Sequence, residues 1–163
     1  MMASLLLFSN ALNGKREEKH MIRKFKQEDT EQVMRIWLEG NVDAHNFVPQ
    51  DYWLSQYELV QEQLLQANIY VHEQDEKING FVGMMDDYLA GIFVDKTCRS
   101  MGIGRTLLEQ IKEIYPKFSL NVYQQNQRAV DFYLKEGLFI SSKGIDEDTE
   151  ETDYMMIWDK NRK

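Results

Sequence analysis

The chain has 163 residues, of which 43% are hydrophobic and 12% aromatic, so it can bury the core of one domain. Its net charge of −8 argues against a nucleic-acid partner, because phosphate contacts need clustered Lys and Arg. Cys98 is the only cysteine, which excludes an intrachain disulfide and a thiolate metal cluster and fits a reducing, cytoplasmic setting. No apolar run approaches the roughly 20 residues of a membrane span, so no membrane partner is expected.

The first 20 residues contain a short apolar stretch, Leu5–Phe8, that does not read as a targeting signal. It lacks a basic flank and is shorter than the roughly 7–15 residues of a signal-peptide core. A second start-like sequence begins at Met21. We therefore expect residues 1–20 to be an upstream extension or a segment added for expression, and the domain to span 21–160.

The first half of that domain begins with a strand and two helices. Alternation of apolar and charged residues predicts a strand at 22–26. A helix is predicted over 30–39, with Asp29 or Thr30 as its N-cap and Gly40-Asn41 as its end. A second helix is predicted over 52–66, and its apolar side would be formed by Leu54, Tyr57, Val60, Leu64 and Leu65.

The remaining segments mix strands with helices. Strands are predicted at 69–72, 78–85 and 88–94, the first two as a hairpin. A helix over 104–115, a strand at 118–123 and a helix over 127–136, ended by Gly137, come next. Strands at 139–143 and 154–158 enclose an acidic loop, Asp146–Asp153. Hairpins combined with strand-helix-strand crossovers predict an α/β fold with one mixed sheet covered by helices.

A glycine turn, RSMGIGRT at Arg99–Thr106, follows a predicted strand and opens a predicted helix. Glycine permits unusual backbone conformations and close approach of a ligand, and the free N–H groups of a first helical turn attract anions. A P-loop is excluded because no lysine is followed by Ser or Thr here, and a dinucleotide fingerprint because Leu107 replaces its third glycine. The glycines alone leave two alternatives, a phosphate site and a tight turn without a ligand.

Two segments together resemble the GNAT superfamily of N-acetyltransferases. Ile92-Phe93-Val94 followed by RSMGIGRTLL is similar to its acyl-CoA-binding motif, [QR]-x-x-G-x-[GA]. The segment from Asn126 to Phe139 resembles the family pattern N-x-x-A-x-x-F-Y-x-K-x-G-F, except that Leu138 separates the final Gly and Phe. The resemblance covers nearly the whole chain from Met21 onward.

The resemblance implies a single-domain GNAT-like fold in which two central parallel strands splay apart to admit acyl-CoA. Main chain at Phe93 and Val94 would pair with the pantetheine arm, and Asn126 would contact the pantetheine or phosphates. Arg99 would either assist the phosphates or lie in solvent. The pyrophosphate would be held by backbone N–H groups of Met101, Gly102, Ile103, Gly104, Arg105 and Thr106. The family needs no metal and often forms dimers, so a homodimer is possible.

The implied reaction is direct attack of a neutral primary amine, from a small molecule or peptide, on acetyl-CoA. Tyr133 would point at the thioester sulfur and act as general acid. His45 is the candidate base because its ordinary pKa is suitable. The sequence around it resembles the W…H-x-F pattern of a bacterial subgroup, and a hydrogen-bonded structural histidine is the equal alternative. Relatives place a carboxylate in the strand before the turn, where this chain has Leu89, Ala90, Gly91 and Ile92.

The acidic loop Asp146–Asp153 has two interpretations. It is either a solvated loop or a surface that attracts a cationic acceptor. The chain as a whole also has alternatives to catalysis, namely a noncatalytic acyl-CoA sensor, which would not need Tyr133, and an antitoxin or assembly partner that acts through its surface.

Overall fold

Seven segments rich in β-branched and aromatic residues form strands in the computed structural model, which describes residues 20–163. They are β1 (His20–Lys24), β2 (Asn68–Gln74), β3 (Lys77–Met85), β4 (Tyr88–Val94), β5 (Lys117–Tyr123), β6 (Phe139–Ile145) and β7 (Thr152–Asp159). One sheet contains them in the order β1-β2-β3-β4-β5-β7-β6. All neighbouring strands are antiparallel except β4 and β5, which are parallel. The predicted mixed sheet is confirmed.

Four helices cover the two faces of this sheet. They are α1 (Thr30–Ala44), α2 (Gln50–Leu64), α3 (Ile103–Ile114) and α4 (Gln127–Lys135). Because side chains alternate along a strand, β3 contributes to both cores: Val82 and Met84 pack with α3 and α4, whereas Phe81 packs with α1 and α2. Among the described residues, no helix is both long and apolar enough to cross a membrane.

The parallel pair β4 and β5 separates almost as soon as it forms. Tyr88 and Ser119 are their only paired residues, and the N–H of Ser119 donates to the carbonyl of Asp87 (3.1 Å). From Leu89 to Val94, β4 pairs with β3 alone. The predicted splay between the central parallel strands is therefore confirmed, and it leaves one edge of β4 without a partner strand.

Residues 1–19 lie outside the described part of the chain, so the prediction of an extension over residues 1–20 falls outside the described residues except at His20. His20, its last residue, is the first residue of β1 and lies in register with Gln74 of β2. The described helices and strands end at Asp159.

The predicted end of the first helix at Gly40-Asn41 is wrong, since α1 continues to Ala44. A Cβ on Gly40 would lie 3.1 Å from the Phe93 ring, so this glycine serves close packing and does not end the helix. The buried amide of Asn41 donates to the carbonyl of Trp37 (2.9 Å), one turn earlier in the same helix. A single glycine costs a helix only about 1 kcal/mol, which such packing can offset.

The predicted N-cap position of α1 is confirmed at Asp29, but the capping hydrogen bond is absent. Asp29 occupies the cap position, but neither its carboxylate nor Thr30 accepts a hydrogen bond from the helix. The buried carboxylate of Asp29 accepts two hydrogen bonds from Arg23 of β1 (2.8 and 2.9 Å) and one from the N–H of Lys26 (2.8 Å). Asp29 therefore ties α1 to β1.

The predicted apolar side of α2 is confirmed at Tyr57, Val60 and Leu64, which pack in the core. It is wrong at Leu54 and Leu65, which are exposed, and it lacks Trp53, which is buried. Trp53 packs edge-on against Trp37 of α1, with ring centroids 6.3 Å apart. A large aromatic ring buries more apolar surface than a leucine, so Trp53 sets the rotation of α2.

Candidate active site

The predicted glycine turn is present at the start of α3. Ser100 has a φ of +68° and Gly102, the N-cap residue, a φ of +80°. The first backbone hydrogen bond of the helix runs from the N–H of Thr106 to the carbonyl of Gly102 (3.0 Å). The N–H groups that precede it have no partner in the helix and no side-chain cap, so they form a concentrated donor site for an anion.

The two glycines of the turn differ in what they permit. Gly102 has open space where a Cβ would be, but its left-handed backbone disfavours other residues. At Gly104 a Cβ would lie at ordinary contact distances, 3.7 Å from Val94 and 3.8 Å from Phe132. The second position therefore tolerates Gly or Ala, as the family motif allows. Gly104 also lies beside Val94 of the unpaired stretch of β4, so the donor site and the free strand edge are neighbours.

Two arginines flank the turn, and both are ion-paired. The guanidinium of Arg99 lies 3.4 Å from the carboxylate of Asp43 at the end of α1. Arg105 pairs with Glu109 one turn along α3 (3.1 Å) and lies 3.7 Å from Glu136. Asp43 had no distinguishing sequence signal, because its partner lies more than 50 residues away in the chain.

Asp95, immediately before the turn, connects it to α1. Its buried carboxylate accepts hydrogen bonds from Arg35 of α1 (2.7 Å) and from the N–H of Thr97 (2.9 Å). Burial alone would raise the pKa of Asp95, but the donors of Thr97 and the Arg35 guanidinium outweigh it and lower the pKa to about 2. The carboxylate is thus ionised at neutral pH and holds the turn at a fixed distance from α1.

Asp95→Asn is expected to destabilise the protein by about 2 kcal/mol at pH 7, since charged hydrogen bonds are lost. The folded pKa lies below the usual 3.8, so this stabilisation is complete above about pH 4 and disappears as the pH falls to about 2. Urea unfolding of both proteins between these pH values measures it. Asp51→Asn, at an exposed position of α2, is the control. An undiminished difference near pH 2 would contradict the assignment.

Tyr133 lies on α4, seven residues beyond Asn126, with only 8% of its surface exposed. Its hydroxyl has no hydrogen-bond partner among the described residues. Burial and the neighbouring Tyr88 raise the pKa of Tyr133 well above its ordinary value, so the phenol keeps its proton at neutral pH.

The predicted C′ residue of this helix, Gly137, has a φ of +94° as expected, and its N–H donates to the carbonyl of Leu134 (3.1 Å).

Tyr88 is a site residue that the sequence analysis missed. It begins β4 at the point where the parallel strands part, and its hydroxyl donates to Oδ1 of Asn121 (3.0 Å). The amide of Asn121 in turn lies 3.4 Å from the carboxylate of Asp153. These contacts connect the strand junction beside Tyr133 to the acidic hairpin. The available signal was an aromatic residue at the first position of the strand that leads to the glycine turn.

His45 and Asn126, predicted separately, are in contact. Nε2 of His45 lies 3.1 Å from Nδ2 of Asn126. The imidazole packs among three aromatic rings, with centroid distances of 5.0 Å to Tyr123, 5.2 Å to Trp53 and 5.6 Å to Phe47. Burial lowers the pKa of His45 to about 4, so the ring is neutral at pH 7.

The acidic loop lies near this histidine. Asp146, which follows β6, accepts a hydrogen bond from the hydroxyl of Tyr123 (3.1 Å) and another from the N–H of Asp148 (2.9 Å). The hydroxyl of Tyr52 on α2 lies 3.4 Å from the carboxylate of Asp148. The hairpin therefore spans from the end of β5 to α2, on the side of the sheet where His45 and Tyr123 meet.

Comparison with known proteins agrees with this geometry. Residues 30–138 match the acetyltransferase (GNAT) family. The chain is 32% identical over 140 residues to the peptidyl-lysine N-acetyltransferase YiaC of Escherichia coli K12, covering 85% of this chain and 96% of that protein. The solution structure of apo YjaB from Escherichia coli has a TM-score of 0.77 at 25% identity, covering 86% of this chain and 97% of that one.

A third likeness concerns the fold alone. The crystal structure of the PaiA N-acetyltransferase of Thermoplasma acidophilum in complex with coenzyme A has a TM-score of 0.72 at 18% identity, covering 86% of this chain and 99% of that one. The splayed strands, the glycine turn at a helix start and the family match over two thirds of the sequence point the same way. This chain belongs to the GNAT family of N-acetyltransferases.

Proposed function

We propose that this enzyme transfers the acetyl group of acetyl-CoA to a primary amine, and that the amine is the side chain of a lysine in a peptide or protein. The observation that carries the donor side is the turn at Gly102–Gly104, which has free N–H groups and packs beside Val94 of the unpaired stretch of β4. The acceptor class is supported by YiaC, whose name describes a peptidyl-lysine N-acetyltransferase and which is 32% identical to this chain.

The donor would bind along β4 and the start of α3. Its pyrophosphate would receive hydrogen bonds from the N–H groups around Gly102–Arg105, each contributing about 1.5–3 kcal/mol to a charged acceptor. The N–H of Thr106, which was also predicted to bind the pyrophosphate, donates to the carbonyl of Gly102 instead. The helix dipole adds only about 0.3–1 kcal/mol, so the hydrogen bonds dominate. The pantetheine arm would pair with main chain at Phe93 and Val94, where β5 has moved away. This arrangement would bring the thioester toward the sheet junction and Tyr133.

The transfer would proceed by direct attack. The amine nitrogen forms a bond to the acetyl carbon while the carbonyl π electrons move to oxygen, and the C–S bond breaks as they return. The thiolate of coenzyme A takes a proton from Tyr133, and the proton that the nitrogen loses on becoming an amide returns to the Tyr133 phenolate through water. A lysine amine with a pKa of about 10.4 is neutral in only about one molecule in 2,500 at pH 7, so deprotonation costs about 4.6 kcal/mol. At ordinary pKa values of about 10 and 8.5, a phenol gives its proton to a thiolate at a cost of about 2 kcal/mol. Burial raises the pKa of Tyr133 and therefore this cost, so the hydrogen bond from its hydroxyl to the developing thiolate carries much of the stabilisation.

The direct test is transfer of a radiolabelled acetyl group to a lysine peptide, with mass spectrometry to locate the product. The control peptide has the same sequence with its lysine Nε-dimethylated, which removes the acceptor hydrogens and keeps the charge. We expect label on the lysine peptide alone. Saturable acetyl-CoA binding without transfer to any amine would instead indicate that the protein is a noncatalytic acyl-CoA sensor. Acetylation of free polyamines but of no peptide would overturn the acceptor class.

The acidic loop is expected to attract a cationic acceptor. Neutralising two of its exposed side chains, with Glu147→Gln and Asp148→Asn together, should lower kcat/KM for a lysine peptide with basic neighbours by about 2- to 5-fold at low salt. The difference should shrink as ionic strength rises from about 0.05 M to about 0.3 M, because salt screens exposed charges. A peptide without other charges should respond less.

The matched control removes the same number of charges from α2, with Glu58→Gln and Glu62→Gln, both exposed. Equal effects of the two double variants would show that only net charge matters. The acidic loop would then be a solvated loop that does not specifically attract the acceptor.

A further inference from the structure

We propose that His45 is a positioning residue of this active site and not its general base. It holds Asn126, which begins α4, and α4 carries Tyr133. The inference rests on the transfer reaction proposed above, and three features of the structure support it.

The first feature is the direction of the hydrogen bond between the two side chains. Oδ1 of Asn126 accepts from the N–H of Ala129 (3.3 Å), which orients the amide so that Nδ2 faces His45. An amide nitrogen only donates, so Nε2 of His45 must accept with its lone pair. The imidazole proton therefore resides on Nδ1. In this state neither ring nitrogen has a free lone pair to take a proton from a substrate amine.

The second feature is the enclosure of the other nitrogen. Nδ1 of His45 is buried without a hydrogen-bond partner among the described residues, as is Nε1 of the adjacent Trp53. The ring contacts of the imidazole are with Phe47, Trp53 and Tyr123, and its side-chain hydrogen bond is with the amide of Asn126; all four groups are uncharged. The carboxylate of Asp146 accepts a hydrogen bond from the hydroxyl of Tyr123, and no hydrogen bond or ion pair joins it to the histidine. None of the four groups around the imidazole carries a negative charge that would pair with an imidazolium.

The third feature is what Asn126 controls. Its side chain caps α4, its N–H donates to the carbonyl of Tyr123 (3.0 Å), and its carbonyl accepts from Val130 (3.1 Å). Tyr133 follows two helical turns later, about 10 Å along the axis. A small shift of the first turn of α4 would be carried along the helix and would move the phenol of Tyr133 by a similar distance. His45 thus links the end of α1 to the helix that presents the acid.

Two substitutions separate positioning from base catalysis. In His45→Gln the side-chain oxygen can accept from Asn126 but cannot titrate near neutrality, whereas His45→Ala provides no acceptor. We expect His45→Ala to lower kcat by about 10-fold, with KM for acetyl-CoA changed less than about threefold, and His45→Gln to restore most of kcat. The pH profile of His45→Gln should superimpose on that of the wild type. Thermal melting verifies that both variants fold.

NMR of the wild-type protein tests the hydrogen-bond direction without any assay of activity. The ¹⁵N-coupled imidazole signals of His45, assigned by their loss in His45→Gln, should report the neutral Nδ1–H tautomer. They should not titrate between about pH 5.5 and about pH 9. An Nε2–H tautomer, a midpoint near pH 7, or a His45→Gln enzyme as slow as His45→Ala in an otherwise active protein would overturn this inference alone. Absence of transfer by the wild type to every amine would overturn the proposed function and this inference with it.

Discussion

Tyr133→Phe is expected to lower kcat by about 100- to 1,000-fold, because a general acid or a preorganised donor to a leaving group typically contributes that much. The affinity for acetyl-CoA should change little, since the phenol hydroxyl makes no hydrogen bond to the described residues and the ring is retained. Stopped-flow or steady-state release of free thiol measures the rate, and isothermal titration with acetyl-CoA measures binding. Unchanged turnover would remove Tyr133 from the chemistry.

The pH dependence of the same enzyme follows from the environment of Tyr133. Burial raises the pKa of its hydroxyl, so the group remains protonated throughout the range in which the amine acceptor loses its proton. We therefore expect the wild-type rate to rise with pH as the amine becomes neutral, with no decline from Tyr133 below about pH 10.

Tyr57→Phe is the matched control for Tyr133→Phe, because this tyrosine packs edge-on against Trp37 in the core between α1 and α2. It should leave kcat unchanged.

The fold could be predicted to a large extent because its signals are local. Turn residues and alternating apolar residues placed all seven strands in order, and the glycine turn with its following helix starts within one residue of the predicted position. The errors arose where a distant residue decides. Gly40 looks like a helix end, yet its missing side chain makes room for Phe93 on β4. Asp29 looks like an N-cap, yet Arg23 on the neighbouring strand takes its carboxylate.

The candidate site likewise has a part that local sequence patterns predict and a part that depends on contacts between distant residues. Backbone groups of the turn and the start of α4 belong to continuous segments, so the sequence pattern located them. The contacts of Arg99 with Asp43, of Tyr88 with Asn121 and of His45 with Asn126 join residues more than 30 positions apart. No periodicity or capping rule predicts such pairs. They arise because the fold brings the end of α1 beside the turn after β4 and beside the start of α4, and because it places the start of β4 next to β5.

Gly102→Ala is expected to raise the KM for acetyl-CoA by about 5- to 30-fold, the equivalent of the roughly 1–2 kcal/mol that a left-handed backbone costs a residue with a Cβ. Gly102 has a φ of +80° and directly precedes α3, so relief of this strain would rotate the first N–H groups away from their common focus. The kcat at saturating acetyl-CoA should fall much less, because Tyr133 lies on a different helix. Initial rates over a range of acetyl-CoA concentrations separate the two constants.

Gly104→Ala is the matched control within the same turn. A Cβ there would meet Val94, Phe132 and Ile92 at 3.7–4.0 Å, which are ordinary contacts, and no positive φ has to be maintained. Its KM for acetyl-CoA should stay within about threefold of the wild type, since helix formation favours alanine over glycine by about 1 kcal/mol. If both variants raised KM equally, the cause would be crowding of the donor by any added methyl group. Only a large effect at Gly102 with a small one at Gly104 assigns the binding to the backbone conformation that aims the N–H groups.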